Sequence, residues 1–98
     1  MEQALRAIAN TRRRAMLELV WDRERTSTEI AELSGLSKPA ASQHLKVLRD
    51  AGLVQVRVDA NRRLYRSDPM AMRELRAALE AFWGERLARM RDEVEGDG

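Results

Sequence analysis

Four polar side chains near the middle of the chain, Lys38, Ser42, Gln43 and Lys46, are spaced so that a helix over this stretch gathers them on one side. Their chemistry suits the edges of paired bases. A glutamine amide can pair bidentately with adenine, a lysine ammonium bonds guanine acceptors, and a serine hydroxyl reaches either. Three arginines follow, Arg57, Arg62 and Arg63, where they could lie along a phosphate strand or enter a neighbouring minor groove. Ahead of both groups, Ser27 and Thr28 offer hydroxyls and, at a helix start, free amides that suit a phosphate. Covalent catalysis has no comparable footing. The 98 residues contain no cysteine and one histidine, with no glycine-rich phosphate loop and no evident paired-acid motif, so the expectation is a binding protein and not an enzyme.

The charge distribution agrees with a polyanionic partner. The formal net charge is +2, from 18 Lys and Arg against 16 Asp and Glu. Residues 1–67 carry 13 basic and 8 acidic side chains, whereas residues 68–98 carry 5 basic and 8 acidic. Between Lys38 and Arg66 seven bases face only Asp50 and Asp59. A surface that is merely solvated is the competing reading of such an excess.

A chain of this length is one small domain whose surface stays largely wet, so a second copy would help to complete its core. The absence of cysteine excludes disulfides, thiolate metal sites and thiol catalysis. Met1 to Arg6 leads into no apolar stretch of the kind a signal peptide needs, and nothing approaches the roughly 18 consecutive apolar residues of a membrane span. The expectation is a soluble, cytoplasmic protein without membrane partners.

The elements that would position the polar groups follow from periodicity and punctuation. Met1 to Ala9 reads as a short helix with Leu5, Ile8 and Ala9 on one face. Thr11 can cap a second helix, to about Val20, with Ala15, Met16, Leu19 and Val20 as its buried stripe. Arg12, Arg13 and Arg14 then crowd its first turn, beside the positive helix end, a place that suits cations only if an anion is near; three solvated arginines is the other reading. Thr26-Ser27-Thr28-Glu29 has the spacing of a capping box and opens a helix to about Ser34. Gly35 can end it in the left-handed conformation while Leu36 turns back to the core. Ser37 caps the next helix and is also counted among the expected DNA contacts, with Pro39 tolerated in its first turn, and Gly52 stops it after Ala51. The small side chain of Ala31 lets the two helices cross closely, making a helix-turn-helix.

Val54, Val56 and Val58 then alternate with Gln55, Arg57 and Asp59 as a strand with one buried face. Ala60 and Asn61 form the turn, Asn61 being the residue that tolerates positive φ, and Arg63 to Ser67 returns. Asp68-Pro69 begins a long last helix, to about Val94. Residues 1–94 would form the DNA-binding and dimerisation domain, and residues 95–98 a fraying tail. The fold class is mainly α with a small β-hairpin, the winged helix-turn-helix arrangement.

The string SGLSKPAASQHLKVLRDAGLVQVRVDANRRLYRSDP resembles the ArsR family of dimeric winged-helix repressors. Asn10-Thr11-Arg12-Arg13-Arg14 resembles the family's usual lead into the second helix, and the similarity spans about residues 3–92. Its most specific part is Leu36-Ser37, then Ser42-Gln43-His44-Leu45, then Leu48 and Ala51-Gly52-Leu53-Val54. The resemblance implies a homodimer through the first and last helices, a recognition helix at Ser37 to Ala51, and binding to double-stranded operator DNA that represses transcription. Carried over by position, it implies contacts from Lys38, Ser42 and Gln43 and a wing at Arg57, Arg62 and Arg63.

Two departures bear on metal sensing and on the wing. Many members sense metals through cysteines, absent here, and the wing tip commonly holds a glycine where this chain has Ala60-Asn61. Some members use a carboxylate and histidine site on the last helix, but His44 lies in the recognition helix, where it reads as packing or a phosphate contact, with a metal ligand as the alternative. Asp92, Glu93, Glu95 and Asp97 read as a solvated tail. No metal or other cofactor is expected.

The last helix carries more large apolar residues than the short preceding core can cover. Leu75, Leu79, Phe82, Trp83, Leu87 and Met90, joined by Leu5 and Ile8, are the expected dimer interface. Two-fold symmetry would place two recognition helices roughly 34 Å apart and call for an inverted-repeat operator. Two alternatives stay open: Phe82 and Trp83 lining a pocket for an organic effector between protomers, and a winged-helix protein-interaction module that binds no DNA.

Overall fold

The computed structural model describes the backbone of residues 1–96, with side chains through Met90 except Leu87. Five helices and three strands follow in the order α1 (Glu2–Ile8), α2 (Thr11–Leu19), β1 (Arg25–Thr26), α3 (Ser27–Ser34), α4 (Lys38–Asp50), β2 (Val54–Asp59), β3 (Arg62–Ser67) and α5 (Pro69–Gly96). The fold is a winged helix-turn-helix, and its core holds α4 from behind. Met16 and Val20 from the α2 region, Ile30 of α3, Leu45 and Leu48 of α4, and Leu53 after it are all fully enclosed. Each contributes about 1.5–3 kcal/mol relative to an exposed side chain.

The helix ends explain why α3 and α4 meet as they do. Thr26 Oγ1 accepts from the Glu29 amide at 3.1 Å while Glu29 Oε1 accepts from the Thr26 amide at 3.4 Å, the reciprocal box expected from the sequence. Gly35 takes φ +67°, and the Leu36 amide closes back on the Ala31 carbonyl at 3.1 Å. Ser37 Oγ accepts from the Ala40 amide at 3.3 Å to start α4. Gly52 repeats the left-handed stop at φ +76°, with the Leu53 amide on the Leu48 carbonyl at 3.0 Å. Ala31 of α3 and Ala41 of α4 are both buried.

Several details differ from the sequence reading. The cap of α2 is Asn10 and not Thr11: its side chain accepts from the Arg12 and Arg13 amides. Asparagine one residue earlier reaches both free donors, and Thr11 becomes the first helical residue. The buried face of α2 is Met16, Leu17 and Val20, while Ala15 is exposed and Leu19 half-buried; in α1 the buried residues are Ala4 and Ala7, with Ala9 and Leu5 outside. Nor are the three arginines simply solvated. Arg13 Nε donates to the Ala7 carbonyl at 2.6 Å and Arg14 Nη1 to the Ile8 carbonyl at 2.8 Å, so two of them close the carbonyl end of α1.

The sheet has three strands in the order β1-β3-β2, all antiparallel, so the expected hairpin gains a short third strand. Asp59 pairs Arg62 across a two-residue turn. The turn residue at positive φ is Ala60, at +57°, and not Asn61. α5 runs to Gly96, past the expected end at Val94, so the expected tail at residues 95–98 begins within a helix; residues 97–98 lie outside the described part. With extents of 64 × 25 × 20 Å the molecule is elongated, as a 28-residue helix of about 42 Å requires. No helix of the described residues is long and apolar enough to cross a membrane.

Candidate nucleic-acid interface

α4 divides its residues as its periodicity demands. Ala41, Leu45 and Leu48 are buried, and Lys38, Ser42, Gln43 and Lys46 are exposed on the other side. Arg49 continues this exposed row one turn after Lys46 and two turns after Ser42. Lys46 Nζ lies 3.4 Å from Asp50 Oδ2, an exposed pair that a phosphate can displace at little cost. Lys38, Ser42 and Gln43 make no side-chain hydrogen bond among the described residues. Ser37 differs from them, because its hydroxyl oxygen is committed to the cap of α4.

The three wing arginines are not equivalent. Arg57 Nε sits 3.0 Å from Glu24 Oε2, and that carboxylate raises the guanidinium pKa above its ordinary value, first through the hydrogen bond and then through its charge. Arg62 Nη2 lies 3.2 Å from Asp59 Oδ2 across the turn. Arg63 has no carboxylate within ion-pair distance among the described residues. The α3 start faces the wing tip, with Ser27, Thr28, Asn61, Arg62 and Arg63 around one cleft. Ser27, Thr28, Lys46 and Arg63 are therefore neighbours on one side of the molecule, together with Ser42. The β2 alternation fades outward: Val54 is buried and Val56 half-buried, but Val58 is 67% exposed.

His44 lies between the exposed and buried faces of α4. Its Nδ1 is 3.5 Å from Arg13 Nη1, the same guanidinium that holds the end of α1. Burial, then the positive charges of Arg13 and Arg12, lower its pKa below the ordinary 6.5, so at neutral pH the ring is uncharged and suited to accept from Arg13. This tie of α2, and through Arg13 of α1, to α4 was not visible in the sequence, since Arg13 and His44 are 31 residues apart.

On the far side, the expected dimer residues divide. Leu75 is buried, and Ile8 and Leu79 are half-buried against the protomer's own core. Leu5, Phe82, Trp83 and Met90 are exposed, Phe82 by 49% and Trp83 by 56%; the Leu87 side chain lies outside the described residues. Phe82 and Trp83 meet edge to face at 5.6 Å, and the Arg86 guanidinium stands 4.9 Å over the Phe82 ring. Between α2 and α5 runs an apolar groove of about 440 Å³ walled by Leu17, Trp21, Met72, Leu79 and Trp83. Trp21 and Leu17 are members that periodicity along α5 alone does not identify.

Residues 10–56 match the family described as "Bacterial regulatory protein, arsR family". The HTH-type transcriptional regulator Rv2034 of Mycobacterium tuberculosis is 36% identical over 97 residues, which cover 99% of this chain and 91% of that protein. The chain belongs to the arsR family of bacterial regulatory proteins. Among solved structures, one described as "Possible transcriptional regulator for arsenical resistance" superposes on this arsR-family chain with a TM-score of 0.80 at 36% identity, covering 100% of this chain and 97% of the other. The homodimeric winged helix-turn-helix DNA-binding domain Mb0332 from Mycobacterium bovis gives a TM-score of 0.71 at 31% identity, over 88% of this chain and 80% of that one.

Proposed function

We propose that this arsR-family protein is a cytoplasmic homodimer that binds double-stranded DNA at an inverted-repeat operator and represses transcription by occupying it. The observation that carries the reading is the exposed row on α4. Lys38, Ser42 and Gln43 make no side-chain hydrogen bond among the described residues, on a helix fixed from behind by Leu45 and Leu48, with the wing beside it. Preorganised, unshielded polar groups on one helix edge are what base readout needs. Ser27, Thr28, Lys46, Arg62 and Arg63 would hold phosphates, and Ser37 would act by fixing the start of α4. Arg57 would contribute least, being tied to Glu24. The reading involves no catalysis and no bound metal.

The second copy would cover the groove along α2 and α5 and the exposed Leu5, Phe82, Trp83 and Met90. That the M. bovis neighbour is homodimeric supports a dimer. Gel-shift titrations with mixed-sequence duplexes at several salt concentrations test the DNA reading. About six phosphate contacts per protomer would give a slope of roughly −0.9 per contact in log K against log salt. Feeble binding to every duplex, independent of salt, would favour the protein-interaction alternative.

A further inference from the structure

Beside the exposed row of α4, and lined by its Ser42 as well as by wing residues, is a polar cleft of about 420 Å³. Arg49 and Lys46 of α4, Arg63 and Tyr65 of β3, and Ser27 at the start of α3 converge on it. Asp50 is also at its edge, engaged by Lys46 at 3.4 Å. Arg49 and Arg63 have no carboxylate within ion-pair distance among the described residues. The cleft therefore carries an excess of positive charge.

Tyr65 supplies the independent observation. It is only 7% exposed, paired in the sheet with Val56 on one side and Arg25 on the other. Its hydroxyl nonetheless makes no hydrogen bond among the described residues and keeps some exposure, and the side chain lines the cleft. A phenol almost entirely withdrawn from water usually finds a partner. None of the described residues partners it, and the side chain lines a cationic cleft.

We infer that this cleft is a phosphate seat in which Tyr65, Arg49 and Ser27 hold one backbone phosphate of each DNA half-site. The inference rests on the duplex-binding reading and extends it to two residues, Arg49 and Tyr65, outside the contacts set out above. The source of the phosphate follows from duplex geometry. When α4 occupies a major groove and the wing reaches the adjacent minor groove, what separates those grooves is a sugar-phosphate strand. The cleft lies between α4 and the wing, so that strand crosses it. The seat fixes how far α4 enters the groove and carries no sequence information.

Tyr65→Phe and Arg49→Gln test this, with binding measured on a selected operator duplex and on a random duplex of equal length. Tyr65→Phe keeps the ring, and loss of an unpartnered hydroxyl leaves Tm unchanged or raised, so its effect on binding is separable from folding. The expected result is about a tenfold loss per half-site for both duplexes alike. The salt slope should be unchanged for Tyr65→Phe and shallower by about 0.9 per protomer for Arg49→Gln. Replacing operator phosphates one at a time by methylphosphonate should identify one position per half-site that weakens the wild type and no longer matters to either variant.

Wild-type binding with both variants unaffected would overturn the seat alone. A wild type that binds no duplex would overturn the duplex reading and the backbone assignment with it. Inorganic phosphate provides the third arm: a saturable shift of the Ser27 amide resonance in wild type, absent in Tyr65→Phe, with duplex affinities unchanged in the variants, would assign the cleft to a free anion and overturn the backbone source.

Discussion

On the proposed reading Gln43 chooses a base: it is exposed on α4 and makes no side-chain hydrogen bond among the described residues. Gln43→Ala should relax selection at one base pair per half-site and cost about 1–3 kcal/mol on the preferred site, read by duplex selection in parallel with wild type. Its neighbour His44 has the opposite character. Because its folded pKa lies below 6.5, the unfolded chain takes up the proton first as pH falls. The stability associated with the neutral ring is complete above 6.5 and is lost as pH falls through the lowered value. Melting curves at pH 7.5 and 5.5 should show a decline in wild type that His44→Gln reduces. Asp68, held below its ordinary 3.8 first by the Ala71 amide and then by Gln55, keeps its charge at both pH values and does not blur the comparison. The base-reading candidates were legible in the sequence because a polar row on a helix needs only local periodicity. Arg13 was not: its partners are two carbonyls of α1 and a ring in α4, which only the folded chain brings to one guanidinium.

At the scale of elements, the wing combines what sequence could and could not specify. The alternation of Val54, Val56 and Val58 marked β2, and the turn fell at the expected pair of residues. β1 is two residues long, too short to alternate, and exists because Arg25 and Thr26, the latter the first residue of the capping box, pair with β3. The left-handed turn position went to Ala60, where an L side chain costs roughly 1–2 kcal/mol. Ala60→Gly should relieve that strain, less the extra chain entropy of glycine, and raise Tm by about 2–6 °C in a thermal melt. The wing arginines should separate by their partners. Arg63→Gln is expected to make the salt dependence of duplex binding shallower by about 0.9 per protomer, and Arg57→Gln to change it less, because Glu24 already engages that guanidinium.

The whole molecule joins the helix-turn-helix and wing to a long last helix that carries an apolar stripe among charged residues. Helical spacing made the α5 stripe legible, but not its division into residues that serve the protomer's own core, such as Leu75, and residues left uncovered, such as Phe82 and Trp83. That division depends on where α1 and α2 end against α5, which is a property of packing. The double substitution Phe82→Glu and Trp83→Glu should yield monomers by sedimentation under conditions where wild type is dimeric. Operator affinity should then fall at least a hundredfold, because each half-site is bound without its linked twin. The most direct measurement is selection of bound duplexes from a random pool by the wild-type protein at physiological salt. Two inverted half-sites, centred about 10–10.5 base pairs or a multiple of that apart, are the result the account predicts. Enrichment of a lone half-site, or of no motif at all, would contradict it.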